Sequence, residues 1–133
     1  DPLSWLEAQL AKAGGKPVFV FTHTPDGEDF YNNEVHPGWP EPNRSAWRRA
    51  LAGGNVKAII AGHYHRDELQ QDEDGIPLRV GNAIADFWGR QASFRIYTYE
   101  DGRLSFRTVY IDDPPREINL NPDGMMGPPT VAE

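Results

Sequence analysis

A chain of 133 residues, 38% of them apolar and including four Trp, six Phe and five Tyr, has the size of one domain or of a piece of a larger one, with a modest core. Its formal charge of −7 argues against a nucleic-acid-binding surface or an anionic-membrane binder, although bound cations could still draw in an anionic substrate. The lack of cysteine excludes disulfides and thiolate metal ligands, and no run of about 18 apolar residues is available to span a membrane, so a soluble protein of unspecified compartment is expected.

Asp1-Pro2 reads as a helix start, because Asp is a good N-cap and Pro is tolerated at the first helical position. Leu3, Leu6, Leu10 and Ala13 then recur at three- and four-residue spacing, which marks one buried helical face, and Gly14-Gly15 ends it. Pro17 to Thr22 is a short apolar run rich in aromatic and β-branched residues, the pattern of a strand buried on both faces of a parallel sheet. From His23 to Pro42 the chain is irregular, and a loop of that length in a small domain is often functional. Asn43 or Ser45 can cap a second helix that runs through Trp47 and Leu51 to Gly53-Gly54, and Val56 to Ala61 is a second buried strand. Helix, strand, loop, helix, strand is an α/β pattern with a crossover helix.

Beyond this point no further helix is expected. Glu68 to Gln71, Pro77 to Val80, Phe94 to Glu100 and Leu104 to Ile111 read as strands, with turns at 72–75 and at Asp101-Gly102. Their alternation predicts antiparallel pairing with one buried face, and Phe94, Tyr97, Phe106 and Tyr110 read as core residues. From Asp112 onward the sequence is rich in Pro, Gly and Asn and reads as an extended tail. The chain opens at Asp1 without methionine or a signal peptide, which reads either as removal of an upstream segment or as a start inside a longer protein.

Three of the four histidines follow directly on buried strands. His23 follows the first, and His63 and His65 follow the second in Gly62-His63-Tyr64-His65. In open α/β sheets ligands bind beyond the carboxyl ends of the parallel strands, and imidazole is a ligand for many first-row metals. A tight turn after Gly62 can aim His63 and His65 toward one region with Tyr64 turned away. His36, in a Pro-rich segment, reads as an ordinary loop residue.

The segments Val18-Phe19-Val20-Phe21-Thr22-His23-Thr24-Pro25 and Ala58-Ile59-Ile60-Ala61-Gly62-His63-Tyr64-His65 resemble the last two metal-binding motifs of the calcineurin-like metallophosphoesterases. Ser4-Trp5-Leu6-Glu7-Ala8-Gln9-Leu10 resembles the helix that commonly precedes the first of these. The resemblance implies the C-terminal half of a four-layer α/β/β/α sandwich over residues 1–111, its parallel strands followed by antiparallel hairpins, with 112–133 as the tail. It implies a phosphate-ester substrate and two transition-metal ions, Fe, Mn or Zn, about 3.5 Å apart, with His23 and His63 on one ion and His65 on the other. A hydroxide bridging the ions would attack phosphorus.

The family's Asp-x-His, Gly-Asp-x-x-Asp and Gly-Asn-His-Asp/Glu motifs, which lie N-terminal to the matching region, are absent from this sequence. With them go the bridging carboxylate, the Asn ligand and the His thought to orient substrate. The chain alone is therefore expected to hold one ion at most, to contribute no catalytic side chain of its own, to be inactive by itself, and to associate with a missing N-terminal half or another chain. Arg66 could approach a substrate phosphate, although a solvated Arg66-Asp67 charge pair explains it as well. Asn82 ends a strand and could line the site, although turn chemistry accounts for it equally. Asp26, Asp29 and Tyr31 could shape access. Two functions compete: a metal-dependent phosphoesterase, and a non-catalytic metal- or partner-binding module with an incomplete phosphoesterase fold. A structural zinc site is weaker, because such sites take four protein ligands and no Cys is available.

Overall fold

The computed structural model describes residues 1–27, 37–71, 75–85 and 91–111. Asp29, Tyr31, His36 and the tail from Asp112 lie outside these residues. Helix α1 (Pro2–Ala13) begins where Asp1 accepts the Leu3 N–H at 3.1 Å and ends at Gly14, whose φ of 59° is the left-handed cap that Gly adopts without strain. Strand β1 (Val18–Phe21) follows. Helix α2 (Asn43–Leu51) is capped differently from the sequence expectation: Pro42 occupies the cap position, and neither Asn43 nor Ser45 does. Proline has no side-chain acceptor, so the Glu41 carboxylate reaches forward instead, accepting from the Ser45 hydroxyl at 2.6 Å and the Ser45 N–H at 3.3 Å.

Four strands form one sheet in the order β1-β2-β4-β3, with β2 at Val56–Ala61, β3 at Glu68–Gln71 and β4 at Pro77–Val80. β1, β2 and β4 run parallel, and β3 is antiparallel to β4. The hairpin β3–β4 thus folds back so that its second strand extends the parallel set, which its local antiparallel signature does not reveal. Strands β5 (Ser93–Glu100) and β6 (Arg103–Tyr110) form a separate antiparallel pair. Asp101 and Gly102 both take positive φ at their turn, the signature of a two-residue hairpin connection that matches strand twist.

The helices share one face of the four-stranded sheet. Val20, Ile59 and Leu78 stand side by side in register, followed by Ala61 and Val80, and all five pack with Leu6 and Leu10 of α1 and Trp47, Ala50 and Leu51 of α2. Leu51, Ile59 and Val80 are wholly enclosed, and each such side chain contributes about 1.5–3 kcal/mol of apolar burial. α1 approaches the α2–β2 turn so closely that a Cβ on Gly54 would lie 2.6 Å from Leu10 Cδ2. On the opposite face, Phe19 meets Tyr99 of β5 edge-on with ring centroids 5.0 Å apart. Helices, sheet and hairpin make three of the four layers of an α/β/β/α sandwich among the described residues.

The β5–β6 hairpin reverses part of the expected inside-outside pattern. Phe94 is 42% exposed and Tyr110 is 56% exposed, so neither belongs to the core. Arg95 points inward instead, its guanidinium 4.4 Å from the Phe106 ring centre and 2.6 Å from Asp67. A guanidinium that is paired and stacked can replace an apolar side chain on an inner face, which hydrophobic alternation cannot register. β1 also departs from its expected burial on both faces: it stands at the end of the strand order among the described residues, and Phe21 at its end is 71% exposed.

Candidate metal site

β1 and β2 are neighbours running in the same direction, so the residues after them emerge side by side at one sheet edge. The register carries Phe21 opposite Ile60, and the Gly62 N–H donates to the His23 carbonyl at 3.0 Å, extending the pairing past both strand ends. His23 and His63 meet there with ring centroids 5.2 Å apart and planes at 76°. The His23 ring lies against Gly62, its Nδ1 3.9 Å from where a Cβ would stand, an ordinary contact distance.

The turn from Gly62 to His65 is strained. The Tyr64 N–H folds back to the Gly62 carbonyl at 2.8 Å, and His63 and His65 have φ of 71° and 52°. This left-handed region costs a non-glycine residue about 1–2 kcal/mol, and such conformations cluster at functional sites. Between the two histidines, Tyr64 is fully buried and joins the core, as the alternation around the turn predicts.

The structure brings the His23 and His63 rings together, and His65 follows two residues later in the same turn. No cluster of three or more His, Asp or Glu residues able to hold an ion occurs among the described residues. Two facing imidazoles are a suitable partial donor set for a first-row metal. Among the described residues no carboxylate completes a group of three or more ligands with them, so these donors amount to part of a site.

Arg66 and Asp67 do not pair with each other. Arg66 Nε lies 2.6 Å from Glu68, with both side chains almost enclosed, and its guanidinium sits 5.9 Å from the Tyr64 ring centre. Gln70 completes this row by donating to Glu68 at 2.5 Å. Asp67 instead accepts from Arg95 at 2.6 Å and from the Asn82 N–H at 3.1 Å, which ties the segment after His65 to the end of β4 and to the hairpin. The Asn82 side chain donates to the Gln91 carbonyl at 2.9 Å, so this residue stitches the link between the two sheets. Asp26 is buried and lies 3.8 Å from Arg48 of α2. Sequence reasoning missed Asp67 and Arg95, because a long-range ion pair leaves no local signal.

No family model matches the chain. It is 38% identical to purple acid phosphatase 22 of Arabidopsis thaliana over 51% of its own length, and 37% identical to the serine/threonine-protein phosphatase CPPED1 of Danio rerio over 60%. The structure matches a dimetal phosphatase from Danio rerio with a TM-score of 0.63 over 80% of the chain, at 22% identity. The chain is thus similar in sequence to segments of two phosphatases and in fold to part of a dimetal phosphatase, the calcineurin-like metallophosphoesterases that its histidine motifs resemble. Its extent is small beside these metallophosphoesterase relatives: it covers 16% and 27% of the two phosphatase sequences and 33% of the matched structure. No helix among the described residues is long and apolar enough to cross a membrane.

Proposed function

We propose that this chain is the histidine-bearing, C-terminal half of a metal-dependent phosphoesterase acting on a phosphodiester or phosphomonoester. The observation that carries the reading is the contact of His23 and His63, 5.2 Å between ring centres, at the carboxyl ends of two adjacent parallel strands. His23 and His63 would hold one Fe, Mn or Zn ion and His65 a second. Ions bound there supply Lewis acidity toward a phosphoryl group and lower the pKa of water. This chain's own part is to fix imidazoles: the strained turn carries His63 and His65, both with left-handed backbone, before and after the buried Tyr64. Bridging carboxylates would come from a segment outside this sequence. Such a segment would also cover apolar surface, since Phe21, Phe94 and Ile96 are exposed. Arg66, enclosed with Glu68, acts as a brace for β3 in this reading, and Asn82 as a tether between sheets.

A non-catalytic metal- or partner-binding module is the second reading, favoured by the lack of a cluster of three or more acidic or histidine ligands among the described residues. Hydrolysis of p-nitrophenyl phosphate and bis-p-nitrophenyl phosphate with added Mn2+ or Zn2+ separates the two. The first reading expects no turnover by the chain alone and turnover once a segment bearing the missing motifs is joined to it, abolished by His63→Ala. A joined protein that binds metal yet hydrolyses neither ester supports the module.

A further inference from the structure

Between the two histidines stands Tyr64, which is fully buried. Here it has a specific hydrogen-bonding partner. The Tyr64 hydroxyl donates to the Gly27 carbonyl at 2.6 Å, and Gly27 lies four residues beyond His23 on the segment that leaves β1. The tyrosine is fully enclosed and Gly27 half-buried, so this bond is largely removed from bulk water.

The contact is built on both sides. A Cβ on Gly38 would collide with the Gly27 carbonyl oxygen and lie 2.6 Å from the Tyr64 hydroxyl. A Cβ on Gly27 would collide with the Gln70 amide oxygen and approach Leu78 Cδ2 to 3.0 Å. The Trp39 N–H donates to the Pro25 carbonyl at 3.1 Å, closing the base formed by 25–27 and 37–39. Two glycines thus leave space for the phenol, and the phenol joins the strand-end segment of His23 to the turn of His63 and His65.

We propose that Tyr64 is a positioning residue for the candidate metal site. Its hydroxyl holds the Gly62–His65 turn in the left-handed conformation and in register with His23, so that the imidazoles are set before an ion arrives. The metal role of the histidines rests on the function proposed above; the positioning role rests on the tyrosine's bond and the glycine cradle. Loss of a side chain that orients ligands typically weakens metal affinity about 10- to 100-fold.

The test is Tyr64→Phe, which keeps the ring and removes only the hydroxyl, beside Leu10→Ala as a control that lowers stability away from the turn. Zn2+ affinity is measured by calorimetric titration, and the His63 and His65 imidazole resonances are recorded without metal. Tyr64→Phe is expected to weaken Zn2+ binding about tenfold and to shift both sets of imidazole resonances, while Leu10→Ala lowers the melting temperature and leaves binding and resonances as in the parent. Gly38→Ala, which presses on the same hydroxyl, is expected to reproduce the Tyr64→Phe pattern. Equal affinity and unshifted resonances in Tyr64→Phe would overturn the proposal, even if its melting temperature falls. If the parent chain binds no Zn2+, the metal reading fails, and the resonances alone decide the positioning role: a shift specific to Tyr64→Phe upholds it and none refutes it.

Discussion

Replacing Asp67 with Ala tests whether the segment after the histidine turn is clamped to the second sheet. Asp67 accepts from Arg95 at 2.6 Å and from the Asn82 N–H at 3.1 Å. The Arg95 side chain is only 6% exposed, while that of Asp67 is 34% exposed. Stranding a fully buried charge costs about 3–5 kcal/mol. Water reaching the Asp67 side reduces the pair's share to about 2 kcal/mol, and the lost backbone hydrogen bond adds about 1 kcal/mol. The expected loss is therefore roughly 2–3 kcal/mol, read as a lower urea midpoint with an unchanged slope. Arg95→Met removes the buried charge and keeps an apolar stem over Phe106. In that background Asp67→Ala should cost only about 1 kcal/mol, because no cation is left stranded. A loss below about 0.5 kcal/mol in the parent, or equal losses in both backgrounds, would refute the clamp.

Left-handed φ at His63 predicts that His63→Gly is more stable than His63→Ala by about 1 kcal/mol, since only glycine takes that conformation freely; equal melting of the two would show that the turn relaxes. Glu41 is held below the usual glutamate range, first by the Ser45 hydroxyl and then by Arg44. A depressed carboxylate stabilises the fold above its unfolded value and loses that contribution as pH falls through the lower folded value. Glu41→Gln should then lower the melting temperature near pH 7 and leave it unchanged near pH 2, where both forms are neutral; a constant difference at both would contradict the assignment. Substituting Phe94 and Ile96, exposed on the outer hairpin face, with Ser should reduce concentration-dependent association in sedimentation runs. Unaltered association would show that this face is not where chains meet.

Strand ends and turns were legible because each has a local cause. Gly14 caps α1, Asp101-Gly102 turns the last hairpin, and the run Val56 to Ala61 stands in the sheet with the bounds its composition implies. The joint placement of His23 and His63 was legible too, since adjacent parallel strands must deliver their following residues to one edge. Illegible were the features decided by distant partners. Arg95 turns inward because Asp67 and Phe106 receive it, and β4 joins the parallel set through its pairing with β2, a partner distant in sequence. Arg66 pairs with Glu68 rather than its sequence neighbour, because the alternate residues of β3 share a face and Arg66 enters along it. The Tyr64 bond to Gly27 spans 37 positions and leaves no periodic trace.

Metal content measures the central claim most directly. The chain and its His63→Ala variant are equilibrated with Zn2+, dialysed, and assayed by elemental analysis, with protein concentration fixed by its tryptophan absorbance. The account predicts about one ion per parent chain, held by His23 and His63, and its loss from the variant. Equal metal in the two proteins, or none in the parent, would contradict the assignment of these histidines as half of a metallophosphoesterase site.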